Sequence, residues 1–273
     1  MTTTRDTVTT FYASLERADF TAMRDTLHDE LDVQGPIRAL HNADTLVATL
    51  TRLSRLTKGI HVEHLFVDGP RACCVYRLLT DTPIGASAVT EYFHVLDGQI
   101  TLFHAHFDGR PWDALFSGPR EHAGFFKRNW ALGSQSAPGM CLRGEWAMQP
   151  ASGETMTTQE TAAAFYTHIE NKDFAAVRAL LHDDLDFQGP MARFDNAEAL
   201  VARLESIAPV TASFRHKHLF VDGERACFVY DLITHTPMGP SPVAEYLVVR
   251  DGRIASILAH YDAAPWLAMS GPE

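Results

Sequence analysis

The groups in this chain best suited to acid or base chemistry sit in strand-like stretches. They are Glu91 and Glu245, each at the head of a Glu-Tyr segment, and the His-x-Asp pairs His106/Asp108 and His260/Asp262. A carboxyl turned inward among Phe93, Phe103 and Phe107 loses its water. Desolvation favours its protonated form, which donates a hydrogen bond or a proton. Residues two apart on a strand point the same way, so each His-x-Asp pair is a candidate dyad. Parity limits that reading. Phe103, Ala105 and Phe107 (Ile257, Ala259 and Tyr261 further on) form an apolar face, which puts His104, His106 and Asp108 (Leu258, His260 and Asp262) on the opposite one. For His106 and His260 a structural role is therefore the first reading and catalysis the second. Other histidines, such as His28, His64, His182 and His218, lack the spacing of metal ligands, so no metal is expected.

The elements that must position these groups come in two copies. Residues 165–266 repeat 11–112 at a constant offset of 154 without a gap, with about half of the paired positions identical. LHDELDVQGP (27–36) answers to LHDDLDFQGP (181–190), HLFVDGPRACCVY (64–76) to HLFVDGERACFVY (218–230), and EYFHVLDGQI (91–100) to EYLVVRDGRI (245–254). So long a period is one small domain rather than a solenoid unit. The expected division is domain 1 over 1–118, a connector over 119–156 and domain 2 over 157–273. Each copy opens with a helix or broken helix pair (Thr9 to Leu27, with Phe11, Leu15, Phe20 and Met23 at helical spacing). A strand up to Gly35-Pro36 and a helix capped by Asn42 or Asn196 follow. Four strands come next, 61–67, 72–80, 89–96 and 100–107, parted by Asp68-Gly69, Thr82-Pro83-Ile84-Gly85 and Asp97-Gly98. Helices first and then antiparallel strands make an α+β unit, a curved sheet wrapped around helices.

The opening FY…L…DF helix, the LHD-x-LD-x-x-GP strand and the closing E-Y-x-x-V-x-DG-x-I hairpin ending in H-[FY]-D-x-x-PW resemble the nuclear-transport-factor-2-like superfamily. Within it the chain is similar to the SnoaL-like polyketide cyclases and ketosteroid isomerase. The resemblance implies tandem cone-shaped domains, each with an apolar cavity between sheet and helices, paired within the chain as an intramolecular pseudo-dimer. It implies substrate-binding walls of Phe11, Tyr76, Phe93, Phe103, Phe107 and Trp112 in the first copy. Phe165, Tyr230, Tyr261 and Trp266 are their counterparts in the second. The isomerase-like pattern sets a catalytic tyrosine where this chain has Phe11 and Phe165, a general-base aspartate at Gly35 and Gly189, and an oxyanion-binding acid at Glu91 and Glu245. A cyclase's histidine would fall on those same glutamates and its aspartate on Ala105 and Ala259. One carboxyl per cavity remains. The arrangement resembles the protonated aspartic acid of ketosteroid isomerase, a carboxyl kept neutral by its apolar site.

Composition narrows the partners. A formal charge of −11, with 34 acidic and 23 basic residues, leaves no footprint for nucleic acid or an anionic membrane. MTTTRDTVTTFY lacks a signal peptide's apolar region and no apolar run reaches a membrane span, so a cytoplasmic location is expected. Cys73, Cys74, Cys141 and Cys227 form no disulfide framework. Between the copies Glu63 becomes Lys217, Arg77 becomes Asp231 and Asp81 becomes His235, exchanges that a fused dimer could use across its boundary. Arg38, His94, His104 and Arg77, absent from the second copy, mark the first cavity as the one for polar work. In the connector, 119–132 reads as a helix, and Trp130 and Trp146 call for docking on a domain. The function expected is cofactor-free cyclisation, isomerisation or dehydration of a polyketide-like or terpenoid molecule. The alternatives are a protein that binds a hydrophobic small molecule without turnover, and a purely associative module.

Overall fold

The computed structural model describes residues 2–37, 39–116 and 155–269, and the chain divides into two compact units. The expected connector helix, Trp130, Trp146 and Arg38 lie outside the described residues. In the first unit the order is α1 (Thr4–Glu16), α2 (Phe20–Asp25), β1 (Leu27–Gln34), α3 (Ala43–Ser54), β2 (Thr57–Asp68), β3 (Arg71–Thr80), β4 (Ala86–Leu96), β5 (Gln99–His106) and α4 (Arg110–Phe116). The second unit repeats it as α5 (Thr158–Glu170), α6 (Phe174–Ala179), β6 (Leu181–Gln188), β7 (Arg193–Phe194), α7 (Ala197–Ile207), β8 (Thr211–Asp222), β9 (Arg225–Thr234), β10 (Ser241–Arg250), β11 (Arg253–Tyr261) and α8 (Ala264–Met269). Both units are α+β.

Local chemistry sets these boundaries. The Thr3 side chain accepts from the Asp6 N–H while Asp6 reaches back, a capping box that starts α1, and Thr157 with Glu160 repeats it on α5. The opening helix pair breaks where Ala18 and Lys172 take the left-handed conformation, and Asp19 and Asp173 then cap the next turn of helix. Asn42 and Asn196 cap α3 and α7 as expected, each over 2.8 Å. At the tip of the β4–β5 hairpin Asp97 (φ 51°) and Gly98 (φ 79°) are both left-handed, the backbone of the tight turn that Asp-Gly favours.

The first sheet runs β1-β5-β4-β3-β2 with β1 parallel to β5 and the other pairs antiparallel. The second runs β7-β6-β11-β10-β9-β8. One side of each sheet packs on the helices. In the first unit Val8, Phe11 and Tyr12 of α1 meet Cys74, Tyr76, Phe93 and Phe103 in one core. In the second Phe165 and Tyr166 of α5 meet Phe228, Tyr230 and Leu247. The Thr7 hydroxyl donates to the Gly98 carbonyl over 3.2 Å, and Thr161 to Gly252 over the same distance, pinning the opening helix to the β4–β5 or β10–β11 turn. That anchorage fixes which face of the helix looks down on the sheet. Among the described residues no helix is long and apolar enough to cross a membrane.

Candidate functional site

Glu91 and Glu245 are brought to the centre of each unit's helix-facing side. In β4 Glu91 stands opposite Cys74 on β3 and Ala105 on β5, and Tyr76 lies one diagonal step away on the same face. From above, α1 lowers Tyr12. The Tyr76 hydroxyl donates to Glu91 Oε1 over 2.8 Å and the Tyr12 hydroxyl to Oε2. Burial raises the Glu91 carboxyl to about 7, the two tyrosine hydrogen bonds offsetting only part of the desolvation. Burial and the facing carboxylate likewise push both phenols well above their ordinary range.

The second unit rebuilds the group. Tyr166 on α5 donates to Glu245 Oε2 over 2.6 Å, and Tyr230 on β9 hydrogen-bonds the same carboxyl. Desolvation raises Glu245 as well, against the same two bonds. The tyrosine that the resemblance set at Phe11 and Phe165 is thus supplied by the next residue, Tyr12 and Tyr166. Its signal is in the sequence: both copies keep Phe-Tyr, and Val8, Phe11 and Tyr12 are spaced to share one helix face.

Around these triads the units differ. Glu91 is only 6 % exposed, closed in by Phe11, Phe93 and Phe103, whose ring centroids lie 5.2–6.1 Å apart. In the second unit Leu247 and Ile257 stand in place of Phe93 and Phe103, and a cavity of about 120 Å³ reaches Glu245, Tyr166 and Tyr230. Rings are gained there at Phe187 and Phe214. Phe187, Phe214, Tyr261 and Trp266 form part of the cavity wall, at positions held by Val33, Ile60, Phe107 and Trp112 in the first unit. The cavity passes Leu200 and Leu204 of α7 and opens where Glu170, Lys172 and Arg203 line it while remaining exposed.

The expectation that the first cavity does the polar work is corrected by this geometry. Of the residues on which it rested, Arg77, His94 and His104 alternate with the core residues Tyr76, Phe93 and Phe103 and so lie on the other side of the sheet. The remaining sequence candidates are placed as follows. Phe11, Phe93 and Phe103 are buried core side chains, and Phe107 packs edge-on to Trp112. Trp112 donates its indole N–H to Ser87 Oγ over 3.2 Å, as Trp266 does to Ser241 over 3.3 Å. Phe165, Tyr230, Tyr261 and Trp266 line the cavity. His106 and His260 lie on the sheet side away from the core, 2 % and 3 % exposed, with His106 Nδ1 3.3 Å from the Thr90 carbonyl. Burial drives His260 down to about 3, leaving it neutral at ordinary pH. Asp108 and Asp262 accept from the backbone N–H of Arg110 and Ala264 over 3.2 Å at the start of α4 and α8, and Asp108 also holds the Arg110 side chain. The dyads are not brought to the carboxyls. Among the described residues no cluster of three or more His, Cys, Asp or Glu could hold a metal ion.

The exchanged charges also find partners inside each unit. Arg77 Nε lies 3.0 Å from Glu63 on the neighbouring strand, and in the second unit Lys217 and Arg215 lie 2.9 and 2.6 Å from Asp231. The hairpin has kept its ion pair and inverted its sign, so no partner across the domain boundary is needed to account for the exchange.

Solved structures similar to the chain include an NTF2-like protein of unknown function from Cytophaga hutchinsonii (25% identity, 41% of this chain and 96% of that one, TM-score 0.37). An NTF2-like protein of unknown function from Burkholderia pseudomallei shares 16% identity over 43% of this chain and 100% of that one (TM-score 0.37). An LEH-like epoxide hydrolase of M. tuberculosis shares 22% over 38% and 81% (TM-score 0.34). No curated protein matches the chain in sequence. The SnoaL-like domain family matches residues 8–103 and again 162–257, most of both units. The chain therefore belongs to the SnoaL-like family, with one matched stretch in each unit.

Proposed function

We propose that the second domain binds a mostly apolar, ring-bearing small molecule and acts on it without a cofactor, Glu245 serving as proton donor to an oxygen of the substrate. The observation that carries the reading is the Tyr166–Glu245–Tyr230 triad at the inner end of an open apolar cavity. A carboxyl whose affinity for its proton is raised by burial can donate to a carbonyl or leaving oxygen, and the two phenols steady the carboxylate left behind. Cyclisation, isomerisation and dehydration of a polyketide-like or terpenoid substrate all pass through such a step. The first domain, its own triad closed over, would then act as a structural partner.

Binding without turnover is the second reading. What favours it is that the charged residues lining the cavity besides Glu245, namely Glu170, Lys172 and Arg203, are all exposed, so among the described residues no second charged group lines the inner part of the cavity as a dedicated base. One substitution separates the two. Native mass spectrometry of the purified chain first identifies a carried ligand. Glu245→Gln keeps the size and one acceptor oxygen but removes the transferable proton. An enzyme should then lose about 10²–10⁴-fold in turnover, while a binder should keep its affinity within a few-fold. Full turnover in Glu245→Gln would sink the acid assignment.

A further inference from the structure

We propose that the second-domain cavity selects an organic acid, its ring inside the cavity and its anionic group at Lys172 and Arg203. This rests on the reading of the cavity as a small-molecule site and names the ligand class. Its inner end offers the Glu245 carboxyl, held in place by the Tyr166 and Tyr230 hydroxyls, as a polar contact for one ligand oxygen. Between the ends the wall is aromatic, with Phe187, Phe214 and Trp266 presenting faces and edges suited to a flat ring. A volume of about 120 Å³ holds roughly one such ring, since an apolar cavity of about 150 Å³ accepts benzene. Anything longer must continue towards the exposed end.

There the charges decide the class. Lys172 and Arg203 both line the cavity and are exposed, and neither makes an ion pair among the described residues. The third charged group at that end is already engaged: Glu170 Oε1 accepts the Phe214 N–H over 2.9 Å and lies 4.0 Å from His216 Nε2. In the first unit, whose triad is closed, the same positions are Ala18 and Thr49. Two cations thus accompany the open cavity and not the closed one. They do so in a chain of net charge −11, whose overall field would repel an anion unless local cations receive it. An arginine fork and an ammonium lining the same cavity can each receive a carboxylate.

The test is titration calorimetry of the full chain with 4-hydroxycinnamate and with its methyl ester, which keeps the ring and phenol but has no charge. The acid should bind about tenfold tighter or more, and the double variant Lys172→Ala/Arg203→Ala should bring it down to the affinity of the ester without weakening the ester. Equal affinities in the unmodified protein, or an advantage of the acid that survives in the double variant, would overturn the anionic preference while leaving the cavity a small-molecule site. If neither compound binds, both proposals fall. A charge preference that vanishes in the double variant, together with no effect of Tyr230→Phe on either compound, would keep the anionic end and reject the triad as the inner contact.

Discussion

Glu91 and Glu245 are one residue in two surroundings, Glu91 buried in the core and Glu245 half-buried beside a cavity. Both are legible in the sequence, because strand parity alone puts a carboxyl at that position on the apolar side. Tyr12 and Tyr166 are harder to read, since the family pattern places the tyrosine one residue earlier and only the rotation of α1 about its axis brings the phenol over the sheet. In the first domain the triad makes a contribution that depends on pH. An unfolded glutamate loses its proton near 4.5 and the folded Glu91 near 7. Between those values only the folded chain keeps the proton, so the contribution is whole below pH 4.5 and is lost as the pH rises through 7. The change amounts to about 3 kcal/mol. Urea unfolding of the native protein should accordingly lose stability from pH 4.5 to 7.5 by about that much more than Glu91→Gln, which has no proton to release. Equal pH slopes in the two proteins would show that Glu91 ionises normally.

At the scale of elements, the order of helices and strands is readable, and the misjudged boundaries have local causes. Leu27 reads as the end of a helix because it stands four residues after Met23, a helical interval. In the structure it pairs with Ile100 in β1, and a register shift between Leu27 and Asp32 hides the alternation that would betray a strand. The short helices α4 and α8 escape the sequence reading because six or seven residues carry too little periodicity, although Asp108 and Asp262 mark their starts. The inverted ion pair on the β2–β3 and β8–β9 hairpins gives a prediction at this scale. Arg77 is 57 % exposed on its side chain and Glu63 29 %, whereas the Asp231 side chain is 5 % exposed. Burial alone would raise Asp231, but Lys217 and Arg215 outweigh it and hold the carboxyl below its ordinary value. Removing Asp231 leaves Lys217 and Arg215, whose side chains are 22 % and 49 % exposed, to be partly rehydrated. Asp231→Ala should destabilise the second domain by about 1–3 kcal/mol, and Glu63→Ala the first by less than about 1 kcal/mol. Denaturant unfolding that gave the two variants similar losses would mean the buried pair is no more strongly coupled than the exposed one.

For the whole molecule the duplication is plain from the constant offset, and the fold of each copy follows from it. Which copy is open is not legible in the chain, because it depends on how Phe93 and Phe103 meet Phe11 across the core rather than on any residue's chemistry. Leu247 and Ile257 look like ordinary conservative changes in an alignment of the two halves, yet each removes part of a ring from the space above a carboxyl. The cavity reaches the triad of the second domain, so a ligand of that cavity should bind with a stoichiometry of one per chain. Calorimetry or native mass spectrometry at saturation would measure this, and two molecules per chain, both displaced by competition, would contradict it. Phe93→Leu/Phe103→Ile installs the residues of the second copy in the first. It should cost about 2–4 kcal/mol in stability, since the surroundings of a truncated core side chain relax only in part. In return the Glu91 triad becomes reachable, and the stoichiometry should rise above one. If it stays at one in a folded double variant, something other than those two rings closes the first domain.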